Sequence, residues 1–182
     1  MKKISLINIA VACVCSFFLC TCSKAPGSGS PDDLNANVAM RVKDAPTALC
    51  QNARIEIKGI KVFTSGQGWV SVPMNDTIMD ILQLQDTSAL MGNLHLNIGT
   101  ISQVQVTLGT DDTVTVGGIN FLLTVTATTF TVPVNFALTA SGNFVLVLDI
   151  NAAQSIWDAD NDGIHHNYNM TSSGTCTFGK QG

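Results

Sequence analysis

The run ISQVQVTLGTDDTVTVGGINFLLTVTATTFTVPVNFALTASGNFVLVLDI, residues 101–150, decides the fold. Val104, Val106 and Leu108 alternate with Gln103, Gln105 and Thr107, the period of two that puts one side of a strand into a core. Thr113–Val116 and Phe121–Val125 flank Gly117-Gly118, a pair free to take the left-handed backbone of a tight hairpin. Phe130, Val132, Val134, Phe136 and Leu138 alternate strictly. Pro133 falls on their other face and, lacking an N–H, argues for an edge strand. Phe144–Leu148 is continuously apolar, the pattern of a central strand covered on both sides. Asp111-Asp112 reads as an Asx-type turn rather than a catalytic pair.

The same alternation extends backwards. Val38, Met40 and Val42 alternate with Arg41 and Lys43; Ile55 and Ile57 alternate with Arg54, Glu56 and Lys58. The phase flips at Gly59, which predicts a β-bulge. Ser65-Gly66-Gln67-Gly68 is a turn and Trp69–Val72 a short strand. Ile78–Leu84 fits a strand or a helical turn equally. Leu94, Leu96 and Ile98 alternate with polar neighbours, and His95 falls on the polar side. About eight strands at roughly ten-residue spacing imply an all-β fold, an antiparallel β-sandwich of immunoglobulin or transthyretin-like style. Asn151–Trp157 reads as one short helix near the C-terminus.

Only 12% of the 182 residues are charged, so the polar surface must come from Thr, Asn, Ser and Gln. That usage suits exported β-proteins. Arg41, Lys43, Arg54, Lys58 and Lys61 cluster in sequence, either as an anion-attracting patch or as the solvated face of two strands. The net charge is −4, which argues against a nucleic-acid partner.

The first residues read as an address. Met1-Lys2-Lys3 is basic, Ile4–Leu19 is apolar but short for a bilayer span, and no stop-transfer flank follows. Leu19-Cys20-Thr21-Cys22 resembles a bacterial lipobox, which makes residues 1–21 a signal peptide and Cys22 the lipidated mature terminus. Loss of Lys2 and Lys3 with the signal leaves 7 basic against 13 acidic residues, a net charge of −6. Several acyl chains, at about 0.8 kcal/mol per buried CH₂, give firm anchoring. Ser23, rather than Asp, leans towards the outer membrane by resemblance to sorted lipoproteins; whether the domain faces periplasm or surface stays open. Residues 22–34 form a flexible tether, rich in Gly, Ser and Pro, and residues 35–182 the sandwich domain.

Several motifs occur in a fixed order: Arg41-Val42-Lys43-Asp44-Ala45-Pro46, Ile55–Val62, Ile101–Val106, Gly109–Val116 and Leu148–Ile156. Together, over Val38–Ile156, they resemble a bacterial lipoprotein domain of unknown function, family number four-three-eight-two. The resemblance implies an exported, lipid-anchored, β-rich domain with no established enzymatic activity. The chain departs from the family at its end, where His165–Gly182 is polar and carries a Cys.

That tail holds two candidate sites. Asp158-Ala159-Asp160-Asn161-Asp162-Gly163 has the D-x-D-x-D-G start of a calcium loop. Asp158, Asp160 and Asp162 would converge on a hard cation, Ile164 would add a backbone carbonyl, and Asn169 takes the position of an EF-hand glutamate. Such calcium would be structural; the alternative is a solvated acidic turn. His165-His166 lacks a zinc pattern, since neighbours on an extended chain point apart. After signal removal and lipidation, Cys50 and Cys176 remain, an even pair that suggests a disulfide worth about 4–5 kcal/mol in the chain-entropy model.

No Gly-x-Ser-x-Gly or H-E-x-x-H element appears in the sequence. The leading expectation is therefore a non-catalytic, lipid-anchored binding or adhesion module with a glycan or protein ligand. A structural or assembly subunit of the envelope or of a surface appendage is the alternative, and a hydrolase comes third.

Overall fold

The computed structural model describes residues 35–44, 49–139, 142–159 and 168–181. The strands are β1 (Asn35–Asp44), β2 (Asn52–Thr64), β3 (Gly68–Ser71), β4 (Thr77–Asp80), β5 (Ala89–Asn97), β6 (Gly99–Leu108) and β7 (Thr113–Val116). They continue as β8 (Ile119–Val125), β9 (Thr129–Leu138), β10 (Asn143–Ile150), β11 (Ile156–Asp158), β12 (Tyr168–Met170) and β13 (Thr175–Lys180). A single helical turn, α1 (Ala152–Ser155), is capped by the Asn151 side chain.

The smaller sheet has the order β13-β10-β1-β5. The larger runs β11-β12-β8-β7-β2-β6-β9, with β3 and β4 also on β2. Alternation explains how they meet. Val38, Met40 and Val42 of β1 and Leu146, Leu148 and Ile150 of β10 are fully buried, and they join Ile55, Ile57, Val62, Val104 and Val106 of the other sheet in one core. Each such aliphatic side chain contributes about 1.5–3 kcal/mol relative to exposure.

Strand β2 organises the larger sheet. Arg54 lies between Asp80 of β4 and Thr113 of β7, and Val62 lies between Val70 of β3 and Val104 of β6. So β3 and β4 share one edge of β2, while β6 and β7 run in line along the other. The register shifts between Ile57 and Gly59, where the phase flip predicted a bulge. Gly117 (φ 58°) and Gly118 (φ 81°) make the tight β7–β8 hairpin, since both sit in the left-handed region that favours glycine.

Two expectations need correction, and one open reading is resolved. The sandwich is mixed rather than antiparallel: β1 runs parallel to β10, and β12 parallel to β8. Parallel neighbours far apart in sequence leave no trace in local alternation. The helix over Asn151–Trp157 shrinks to the α1 turn, because Ile156–Asp158 finds a strand partner in Tyr168–Met170. The ambiguous Ile78–Leu84 run divides into β4 and a 3₁₀ turn over Ile81–Leu84. The turn starts where the Asp80 side chain caps the Leu82 N–H.

Candidate ligand-binding face

The residues of β2, β3, β6 and β9 that do not enter the core form a broad outer face. Two rows of side chains cross it. Trp69 stands opposite Phe63, Phe63 opposite Gln103, and Gln103 opposite Pro133. Beside them Ser71, Lys61, Gln105 and Thr131 line up in the same way. At about 4.8 Å between strands, each row is about 14 Å long.

Trp69 is 43% exposed, and its ring meets Phe63 edge-on at 5.3 Å with a 72° interplanar angle. Neither ring belongs to the core. The local sequence fixes this pair. The Gln67 N–H donates to Thr64 Oγ1 (3.1 Å), and Gly68 takes φ 73°, closing the β2–β3 turn. The turn is then tied to the β5–β6 junction: the Asn97 N–H donates to Gln67 Oε1 (2.8 Å) and the Thr100 N–H to Ser65 Oγ (2.9 Å). The aromatic edge is held by hydrogen bonds to a neighbouring strand, not by its own short strand alone. Exposed aromatic surface beside amides and hydroxyls can cover a ligand's apolar face and answer its polar groups.

The outer face of the smaller sheet differs. A shallow cleft of about 430 Å³ lies there, lined by Lys43, Asp86, Ser88, Val147 and Thr177 among others. Lys43 Nζ is 2.9 Å from Asp149 Oδ2, and Arg41 donates to the Ser88 hydroxyl (2.7 Å) and to the Ser88 carbonyl. These side chains are committed to each other, so the basic cluster read from the sequence divides between two sheets and is partly neutralised.

A third feature was hidden in the sequence. Asp111 is exposed, but Asp112 is 0% exposed. Residues 109–112 bulge out between the collinear strands β6 and β7. The Asp112 carboxylate fills the resulting break: its Oδ1 accepts the Glu56 N–H at 2.6 Å, while the Gly109 N–H donates to the Glu56 carbonyl (2.7 Å). The Glu56 side chain lies over Gly109, where an added Cβ would collide with it. Burial pushes the Asp112 pKa up, aided by the charges of Glu56 and Asp111; the Glu56 N–H and Lys58 act the other way. Asp112 Oδ2 has no hydrogen-bond partner among the described residues. A carboxyl spliced into a strand ladder and closed off from solvent does structural work.

Of the sites expected from sequence, Cys22 and the loop positions Asp160, Asp162 and Ile164 lie outside the described residues. Asp158 and Asn169 flank that loop on β11 and β12, yet face opposite ways: Asp158 pairs with buried Tyr168, and Asn169 with exposed Trp157. Among the described residues no group of three or more His, Cys, Asp or Glu side chains could hold a metal ion.

The expected disulfide is not formed: Cys50 and Cys176 are both free thiols. Cys50 precedes β2 and joins the core, and Cys176 sits on β13 opposite Leu148. Burial raises both, Cys50 to about 11 with help from Asp44 and Asp80, and Cys176 to about 12 with help from Asp149. An even count said nothing about where the two thiols lie.

No helix among the described residues is long and apolar enough to cross a membrane, which does not address strands or a lipid anchor. No curated protein sequence and no solved structure matches the chain. A family model does match, over residues 35–171, which span β1 to the residue after β12 and take in the whole aromatic face; the chain belongs to the family described as Domain of unknown function (DUF4382).

Proposed function

We propose that this protein is a non-catalytic binding or adhesion module held at the outer membrane by lipid on Cys22. The observation that carries the reading is the outer face of the larger sheet. A tryptophan left 43% exposed, backed by a second ring outside the core, places apolar area in water where the fold itself gains nothing from it. The hydrogen bonds that lock the β2–β3 turn hold that area in a fixed shape. The apolar leader, the lipobox-like end and the tether support placement in the envelope. The Asp158–Gly163 loop is proposed as a structural calcium element; Asp160→Ala should then abolish any calcium-dependent rise in melting temperature.

The test uses the full-length chain reconstituted in vesicles and incubated with isolated cell envelopes. The expected result is retention that falls steeply with Trp69→Ala and is unchanged by Asp149→Ala. Cys22→Ser should release the protein from the membrane. Vesicles that bind no envelope material would contradict the binding reading, and a Cys22→Ser protein that stays membrane-bound would contradict the anchor.

A further inference from the structure

The proposed binding reading leaves the ligand open, and the chemistry of the aromatic face narrows it. We infer that the face formed by Trp69, Phe63, Gln103, Gln105 and Thr131 binds a neutral polysaccharide chain; the inference rests on that reading and names the ligand class for the same site.

Three observations select this occupant. First, Lys61 is the one charged side chain in the two rows that cross β3, β2, β6 and β9. A polyanion is held by cations repeated along its length, and a single lysine does not supply them. Second, the polar groups are amides and hydroxyls. Each Gln offers two donors and an acceptor, and each Thr a donor and acceptor, which suits sugar hydroxyls that also both donate and accept. Third, the aromatic area is gathered at one margin, with the amides between it and Pro133 at the other. A pyranose ring has one face rich in C–H bonds and hydroxyls around its rim. The indole can cover that face while the amides meet the rim. A protein partner would instead call for a larger continuous apolar centre ringed by polar groups. The sheet surface is open at both ends of the rows, so a chain can lie across it rather than end in it.

The experiment is affinity electrophoresis of the full-length chain in detergent. Parallel gels contain a mixed-linkage β-glucan, a galactomannan, or polygalacturonate as the charged arm. At least one uncharged polymer should retard the protein, with little change on raising salt. Trp69→Ala and, separately, Gln103→Ala should each weaken retardation about ten-fold or more, the loss expected of an energetically dominant contact. Trp69→Tyr should restore part of it. Both positions lie outside the core, and an unchanged melting temperature confirms that each variant folds. Unaltered mobility in both uncharged gels would overturn the inference, as would wild-type retardation of the Trp69→Ala and Gln103→Ala proteins. Retardation by polygalacturonate alone, lost on raising salt, would overturn the neutral ligand but keep the binding module. Failure in every gel together with failure to bind isolated envelopes would overturn both.

Discussion

The two outer faces of the sandwich carry different chemistry. On the smaller sheet, Lys43 pairs with Asp149 and Arg41 with Ser88, so its charged groups answer one another. On the larger sheet, Trp69 and Phe63 stand beside Gln103 and Gln105 and leave apolar area in contact with water. The smaller sheet leaves Leu90, opposite Arg41, 51% exposed as a single aliphatic side chain, whereas the larger sheet gathers its exposed apolar area into an aromatic pair. Exposure by itself is a weak guide to a binding face, because both faces are open. What distinguishes them is that the aromatic pair lies beside neutral amides, where the smaller sheet has an ion pair and a hydrogen-bonded arginine.

The largest expected effects come from perturbing one face and then the other. Trp69→Ala should lower ligand affinity about ten-fold or more, as loss of a dominant aromatic contact does, with little loss of stability. Asp149→Ala should leave binding intact. If envelope retention followed Asp149 instead, the functional face would be the smaller sheet.

The next largest effect concerns how the larger sheet is kept in one piece. Gly109→Ala would set a Cβ against Glu56 and should destabilise the domain by about 1–3 kcal/mol, read by urea denaturation. Binding at Trp69, on β3 beside the far end of β2, should survive in the fraction that remains folded.

Asp112 gives a pH signature to the same splice. Its folded pKa lies above the ordinary carboxylate value of 3.8, so the folded state holds the proton more tightly than the unfolded chain. The resulting stabilisation is fully present below 3.8 and is lost as pH rises through the raised folded value. Denaturation midpoints of the wild type should therefore improve as pH falls from neutrality, relative to Asp112→Asn. The Asn variant keeps an oxygen for the Glu56 N–H without the buried charge. It should match or exceed the wild type at neutral pH, and the difference should close on acidification.

The smallest effect belongs to the smaller sheet. Lys43→Met removes a partly exposed ion pair, worth about 0–1 kcal/mol, and high salt should shrink the difference.

Much of this molecule is legible from period-two alternation. Burial of Val38, Met40 and Val42, the Gly59 bulge, the Gly117-Gly118 hairpin and the edge position of Pro133 all follow from local rules that a few residues satisfy. The rest depends on partners distant in sequence. The parallel pairing of β1 with β10 joins residues about a hundred positions apart, and nothing in either strand specifies it. Asp112 looked like its exposed neighbour Asp111 because a turn and a ladder splice use the same residue type. The aromatic face was legible only in part: alternation placed Gln103 and Gln105 outward, but not Trp69 on Phe63, which needs the β2–β3 hairpin to fold back. The free Cys50 and Cys176 show the limit of counting, since a bridge depends on positions that a count does not contain.

The most direct test uses the fluorescence of a single tryptophan. In a Trp157→Phe background Trp69 is the only indole left, and the full-length chain is titrated with the uncharged polymer that retards it most. The account expects a saturable change in Trp69 emission, with a midpoint that agrees with the electrophoretic affinity. A silent Trp69, with a saturable change appearing instead at Trp157 in the Trp69→Phe protein, would contradict it and move the ligand to the β11–β12 side of the sheet.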